Sequence, residues 1–322
     1  DTKYEHTFWR TKNLGNYPLE RPTADLDKVK EAAKLLMEAE NPVIYAGGGV
    51  ISSKAQDEIR HIQEKYSIPV MTTLMGKGSV DETHPLTMGV SAYIMDKRGM
   101  AKFMRPMVQE ADVVLLVGNR TNQNGTDSWT LLPKEAEFIH IDMDPGEIGR
   151  NYEALRLAGD AKATLAALDE EMDKLDRSRR DAKRAEIEKR IQEAREKHLE
   201  EIQDVTTLAD KAPVKPERLM AALEKHLDKD HMLVADASFS SIWIANYIAA
   251  KDEREFYLPR GMAGLGWGLP MAMGVKVAKP DKKVFCITGD GGFAHAWSEL
   301  ECCKREGIDV VCVVLNNEML GY

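Results

Sequence analysis

The sequence predicts an α/β fold: two doubly wound parallel-sheet domains, the second incomplete, joined by a long charged helical linker. Three observations carry this. Apolar runs of strand length recur without alternation, and strands buried on both faces read that way. Amphipathic stretches separate those runs, which is the order of a parallel sheet covered by helices. Residues 168–204 alone break the pattern, with charge at most positions and one narrow apolar stripe.

Residues 1–22 are polar and irregular, with Pro18 and Pro22, and read as a linker. From Thr23 the pattern is regular. "TADLDKVKEAAKLLMEAEN" opens on Thr23 as a helix cap and carries Leu26, Val29, Ala32, Leu35 and Leu36 at helical spacing. "PVIYAGGG" follows as a short strand ending in glycines, and a helix over about 53–66 leads to the strand "IPVMTT". "DVVLLVGN" (112–119) and "EFIHIDMDP" (137–145) are further strands. Residues 23–165 are therefore predicted as one doubly wound, Rossmann-like domain.

Residues 166–211 are predicted as the linker. Leu168, Met172, Leu175, Ile187, Ile191, Leu199 and Ile202 recur at helical steps in a charged background. That is one long solvated helix or two, with a coiled coil as the alternative. A second α/β pattern begins at "PVKPERLMAALEKHL" and fills 212–322. Its strands are "HMLVADA" (231–237), "KKVFCITGD" (282–290) and "VVCVVLNN" (310–317), with a glycine-rich segment between the first two. A doubly wound sheet has about six strands, so this domain is predicted to be incomplete.

The net charge of −9 argues against a nucleic-acid partner. No run of apolar residues is long enough for a membrane span. The cysteines, Cys286, Cys302, Cys303 and Cys312, lack zinc-type spacing and read as reduced core residues. This predicts a cytoplasmic location.

The chemistry concentrates near the C-terminal end. "ITGDGG" follows an apolar strand, which puts Asp290 at the carboxyl end of a parallel strand, where open α/β sheets bind ligands. Glycines there let backbone N–H groups approach an anion. An aspartate beside a phosphate is repulsive unless a divalent cation lies between them, and Mg²⁺ binds through one or two protein oxygens plus phosphate oxygens. Asn316 and Asn317 close the next strand and supply amide oxygens. Read singly, "GDG" is a tight turn; followed by residues 292–315 and then "NN", it points to Mg²⁺ and a diphosphate.

"GDG" and "NN" at this spacing resemble the diphosphate–Mg²⁺ motif of thiamine diphosphate-dependent enzymes. "GLGWGLPMAMGVKVAKPDKKVFCITGDGGF" and "LNNEMLGY" look like the acetohydroxyacid (acetolactate) synthase and glyoxylate carboligase branch. "NPVIYAGGGVI", "IPVMTTLMGKG", "ADVVLLVGNR" and "FIHIDMDPGEIGR" resemble its central domain. The resemblance covers about 25–165 and 212–322. It implies that Asp290, the Asn317 side chain and the Met319 carbonyl ligate Mg²⁺. Gly291 and Gly292, with Ala237, Ser238, Phe239 and Ser240, would hold the diphosphate, and Ala263 and Gly289 complete that set. Leu265 matches the apolar residue that bends the cofactor, with packing alone as the alternative.

The resemblance implies decarboxylation of a 2-keto acid with carboligation, and pyruvate giving acetolactate is the leading expectation. Glyoxylate carboligase and acyl-CoA lyase are alternatives within the family. A truncated, non-catalytic nucleotide-binding relative is the alternative of another class. The family's catalytic glutamate belongs to an N-terminal domain outside this sequence, so the fragment alone is expected to be inactive. Expected partners are small 2-keto acids or aldehydes and further copies of the chain as a homodimer or homotetramer. A regulatory subunit is a further partner the resemblance allows.

For the central domain the resemblance implies FAD, an ADP-like nucleotide, or an empty site. Gly47, Gly48, Gly49, Thr73, Leu74, Gly118, Arg120, Asp142 and Asp160 match the lining positions. Glycine-rich strand ends and Arg120 suit a pyrophosphate. "GGG" is not G-x-G-x-x-G, so the plain dinucleotide fingerprint is absent. His295 in "FAHAW" and His84 in "DETHPL" are read as packing and turn residues rather than catalysts.

Overall fold

A computed structural model describes residues 18, 20–91, 98–207, 212–251, 254–259, 261–319 and 321. Most of the linker predicted for 1–22, and residues 208–211 of the second linker, lie outside the described residues.

The first helix, α1 (Leu26–Glu38), is capped by Asp25, whose carboxylate accepts the N–H groups of Asp27 and Lys28. The cap is therefore Asp25 rather than Thr23, because only a side chain one residue before the first turn reaches those donors. Val29, Ala32 and Leu36 form its buried face. Strand β1 (Pro42–Ala46) follows; the helix expected over about 53–66 is α3 (Gln56–Tyr66), and a short helix the pattern did not reveal, α2 (Gly48–Ser53), precedes it. Lys54, left-handed at φ 55°, ends α2. The sheet continues with β2 (Val70–Thr72), β3 (Thr87–Val90), β4 (Val113–Val117), β5 (Glu137–Asp142) and β6 (Leu155–Ala158). Helix α4 (Met100–Gln109) lies between β3 and β4.

This six-stranded sheet has the order β3-β2-β1-β4-β5-β6, and its pairings are parallel. Strand order reverses between β1 and β4, so the crevice beyond their carboxyl ends is the place where such sheets take ligands.

The charged segment folds as α5 (Ala161–Met172) and α6 (Ser178–Thr207). Its narrow stripe buries Ile191, Ala194, His198 and Ile202. Ion pairs hold the rest of α6 to the first sheet's helices and turns: Arg179 and Lys183 with Glu40, Arg184 with Glu64, and Arg190 with Glu110. The helix is thus a strap along the first domain, and the packing is intramolecular.

The second sheet contains β7 (His231–Ala235), β8 (Phe256–Tyr257), β9 (Lys283–Gly289) and β10 (Val311–Leu315), in the order β10-β9-β7-β8, again parallel. Two-residue β8 is a strand the apolar pattern did not reveal. Helices α7 (Pro216–Glu224), α8 (Phe239–Tyr247), α9 (Gly268–Ala278), α10 (Asp290–Ala296) and α11 (Glu299–Glu306) complete this half. Order reverses between β7 and β9. Among the described residues no helix is long and apolar enough to cross a membrane.

The two sheets share a core. Leu74 and Val90 from the first pack with Leu233, Ile244 and Ile287 of the second. Beside them the Lys77 side chain is fully buried and pairs with Glu82, and Glu82 and Ala250 exchange hydrogen bonds across the junction.

Candidate functional site

The carboxyl ends of β7 and β9 meet at the reversal point of the second sheet. Ala235 pairs with Ile287, and the chain then turns at Asp236–Ser238 on one side and at Gly289–Asp290 on the other. Leu315 pairs with Gly289, so Asp290 and the pair Asn316–Asn317 leave the sheet side by side. A Cβ built on Gly321 would lie 3.4 Å from the Phe239 ring and 3.6 Å from the Asn317 amide. The segments carrying Ser238–Phe239, Asp290 and Asn317–Met319, far apart in sequence, therefore converge.

Three non-glycine residues with positive φ fall in this region: Ser238 at 77°, Ala263 at 50° and Glu318 at 56°. Such conformations cost about 1–3 kcal/mol each and persist where surroundings over-determine them. Each lies in a turn predicted to touch the cofactor or metal. Asn317 Oδ1 accepts the Met319 N–H at 3.2 Å, which fixes the turn that carries the Met319 carbonyl. The Ser240 hydroxyl turns inward, donating to the carbonyls of Asp236 and Ala237. What Ser240 offers a ligand is its backbone.

Leu265 stands out of the glycine-rich loop, 40% exposed, above a cleft it lines with Gly264, Gly266, Trp267, Pro270 and Met271. A Cβ on Gly264, beside Leu265, or on Gly289, at the end of β9, would meet nothing within 4 Å, so both glycines border open space. Gly292 is the reverse case, since a Cβ there would meet the Asp236 carboxylate at 2.8 Å. The Asp290 carboxylate is half-buried and has no hydrogen-bond or ion-pair partner among the described residues. No cluster of three His, Cys, Asp or Glu side chains able to hold a metal occurs among the described residues. A cation here would need one carboxylate completed by amide, carbonyl and ligand oxygens, which suits Mg²⁺.

In the first sheet the predicted residues stand at the carboxyl ends of their strands. Gly47–Gly49 follow β1, Thr73–Leu74 follow β2, Gly118–Arg120 follow β4, Asp142 ends β5, and Asp160 lies just beyond β6. Gly49 and Gly118 pack backbone to backbone: a Cβ on Gly49 would lie 2.5 Å from the Gly118 Cα. Gly47 N–H donates to the Val117 carbonyl and Gly49 N–H to the Gly118 carbonyl, so these two donors are used inside the domain. Thr73 caps a short 3-10 turn, and Leu74 is buried in the core shared by the two sheets. Asp160 is 2% exposed and satisfied on both oxygens, by Arg21 and Ala163 N–H on one and Ser53 on the other. Arg120 is exposed, and burial holds the nearby Asp142 carboxyl above its usual range. Asn119 is buried with its amide nitrogen lacking a partner among the described residues.

Residues 29–168 match the family described as thiamine pyrophosphate enzyme, central domain. Residues 236–322 match thiamine pyrophosphate enzyme, C-terminal TPP binding domain. The chain belongs to the thiamine pyrophosphate enzymes. Its relatives include a probable acetolactate synthase large subunit from Methanococcus aeolicus, 35% identical over 91% of this chain and 49% of the relative. A protein of the same description from Methanocaldococcus jannaschii is 37% identical over 91% and 49%. An acetolactate synthase from Arthrospira platensis is 32% identical over 96% and 52%. The chain thus spans about half the length of the curated relatives it matches.

Within this thiamine pyrophosphate enzyme, sequence reasoning overlooked Asp236. It closes β7 in "VADAS", 1% exposed, and carries no motif of its own. The only sequence signal is an acidic residue directly after a buried apolar strand, in the turn before a helix. His295 is exposed at the end of α10, and its Cβ lies 2.7 Å from where a Gly266 Cβ would stand. It lies on a helix, as expected, but is exposed and faces the Gly266 loop.

Proposed function

We propose that this chain supplies the diphosphate half of a thiamine diphosphate- and Mg²⁺-dependent carboligase site, acting on a 2-keto acid to give acetolactate. The observation that supports it most is the convergence of Asp290, without a partner among the described residues, the Asn317–Met319 turn and the open space at Gly289 at the reversal point of the second sheet. When bound, the cofactor supplies the electron sink for decarboxylation. The chain's own residues bind and orient it. Asp290, Asn317 and the Met319 carbonyl would hold Mg²⁺, and the backbones of Ala237–Ser240 and Gly289–Gly292 would hold the diphosphate. Ala263 lies in the same loop as Leu265, whose exposed side chain would support the bound cofactor.

The acceptor reading, pyruvate rather than glyoxylate, rests on the relatives' descriptions as acetolactate synthases. FAD is the proposed occupant of the first sheet's crevice, held near Arg120 and Asn119, with Asp160 serving the fold beside it. The domain division 23–165, 166–211 and 212–322 is proposed with it, as are a cytoplasmic location and a homo-oligomeric enzyme. Exposed Met262 and Trp297 beside the site support a partner surface there.

The test is calorimetric titration of the protein with thiamine diphosphate, with and without Mg²⁺, followed by a pyruvate assay on the whole protein. Binding that requires Mg²⁺ supports the reading. Equal binding with Mg²⁺ or a chelator, or none, removes it.

A further inference from the structure

We infer that Asp236 is a positioning residue of the thiamine diphosphate site, the group that sets the Leu265 loop against the ends of β7 and β9. The inference rests on the function proposed above and concerns a residue outside the proposed ligand set.

The Asp236 carboxylate gathers donors from three separate segments. Oδ1 accepts the N–H of Ala237 at 2.6 Å and of Gly266 at 3.2 Å. Oδ2 accepts the N–H of Gly266 at 3.1 Å, the N–H of Gly268 at 3.2 Å and the Thr288 hydroxyl at 3.3 Å. The partners lie on the first turn after β7, on the loop carrying Leu265, and on the last turn of β9. The side chain is 1% exposed. A carboxylate has about four lone-pair sites, and these contacts fill them. No capacity remains for a metal or a phosphate, so Asp236 holds the frame and does not touch the ligand.

Gly264 borders open space, and Gly266 has φ 84°, a conformation that leaves its N–H aimed at Asp236. The glycines around the carboxylate agree. A Cβ on Gly268 would meet Asp236 at 3.0 Å, and one on Gly292 would meet Oδ2 at 2.8 Å. The loop's N–H groups on Asp236 and the packing of Gly292 against it place Leu265 and the proposed diphosphate backbone on one reference point. Charge-assisted bonds of this kind are the stronger class, and a buried one lost leaves its donors unpaired.

Asp236→Asn is the test, because it keeps shape and Oδ1 and puts an N–H₂ donor against the Gly268 N–H. Amide exchange at Gly266 and Gly268 in the ligand-free protein is expected to quicken at least ~10-fold relative to Leu233 and Val234 in β7. Thiamine diphosphate affinity with Mg²⁺ is expected to fall about 10-fold, while inorganic diphosphate with Mg²⁺ changes less than about 3-fold. That split separates positioning from general weakening, which would lower both together and overturn the inference. Unchanged exchange at Gly266 and Gly268 also overturns it. Thr288→Val removes one donor and leaves the carboxylate; the same split at about 3-fold is expected, and its absence counts against the inference if Asp236→Asn fails to fold. A wild-type chain that binds neither probe removes the thiamine diphosphate reading itself. Binding by wild type with equal binding by both variants removes only the role of Asp236.

Discussion

Nζ of Lys77 lies 2.6 Å from Oε2 of Glu82, and the lysine side chain is completely buried at the junction of the two sheets. The ammonium also donates to the Ala245 carbonyl, while Glu82 accepts the Ala250 N–H at 2.8 Å. Burial pushes the Lys77 pKa down, and Glu82 opposes that shift. The pair is therefore tolerated by mutual compensation, and neither partner is dispensable alone.

Glu82→Gln leaves the buried ammonium without its counter-charge. A loss of about 3–5 kcal/mol is expected. Replacing both partners with apolar residues, Lys77→Met with Glu82→Leu, is expected to recover most of that loss. Urea midpoints of the single and double variants check both statements; equal losses would contradict the compensation argument.

His140, on β5, is 1% exposed, and its Nδ1 accepts the Gly149 N–H. Burial lowers its pKa from 6.5 to about 4. The folded state thus takes up a proton less readily than the unfolded chain. Its contribution is constant above pH 6.5 and is lost as pH falls from 6.5 toward 4, amounting to about 3 kcal/mol in all. Urea midpoints measured across that range should decline with acid. In His140→Leu the same range should be flatter.

Asp290→Asn is expected to leave stability within about 0.5 kcal/mol, because the carboxylate has no partner to lose among the described residues. Mg²⁺-dependent thiamine diphosphate binding should weaken at least ~100-fold, by analogy with other losses of a charged ligand to a hard cation. Thermal melting and titration together make the check; a variant that binds as wild type would place the metal elsewhere.

Gly49→Ala directs a methyl group into the Gly118 backbone, 2.5 Å from its Cα. The neighbour is backbone rather than a flexible side chain, so the start of α2 or the turn after β4 must shift. A loss of about 1–3 kcal/mol, or more, is expected from overpacking. The test is the urea midpoint of the purified variant, and an unchanged value would mean the crevice is open at this point.

What was legible in the sequence had short range. Apolar runs revealed the longer strands because a strand buried on both faces has no polar position to confuse the reading. The motif around Asp290 and Asn317 was legible because one sheet register brings both to the same edge. Asp236 was not, since its partners Gly266 and Thr288 lie 30 and 52 residues away and a lone aspartate after a strand resembles any cap. Strand β8 escaped because Phe256–Tyr257 is too short to show a period. The break between α2 and α3 depended on Lys54 adopting a left-handed conformation, which side-chain chemistry does not announce. Asp160 matched a nucleotide-lining position, but its bonds to Arg21 and Ser53 appear only once the start of α5 is placed beside α2.

The packing of Leu74 and Val90 among Leu233, Ile244 and Ile287 has a thermodynamic consequence. Two sheets that share interior side chains cannot melt one at a time without opening a seam of hydrocarbon to water. Heat should unfold them in a single calorimetric peak. A molecule held by the second sheet alone then raises the melting temperature of the first as well, by the linkage that rewards binding to the folded state. Occupancy at one end of the chain is in this way registered at the other without any change of shape.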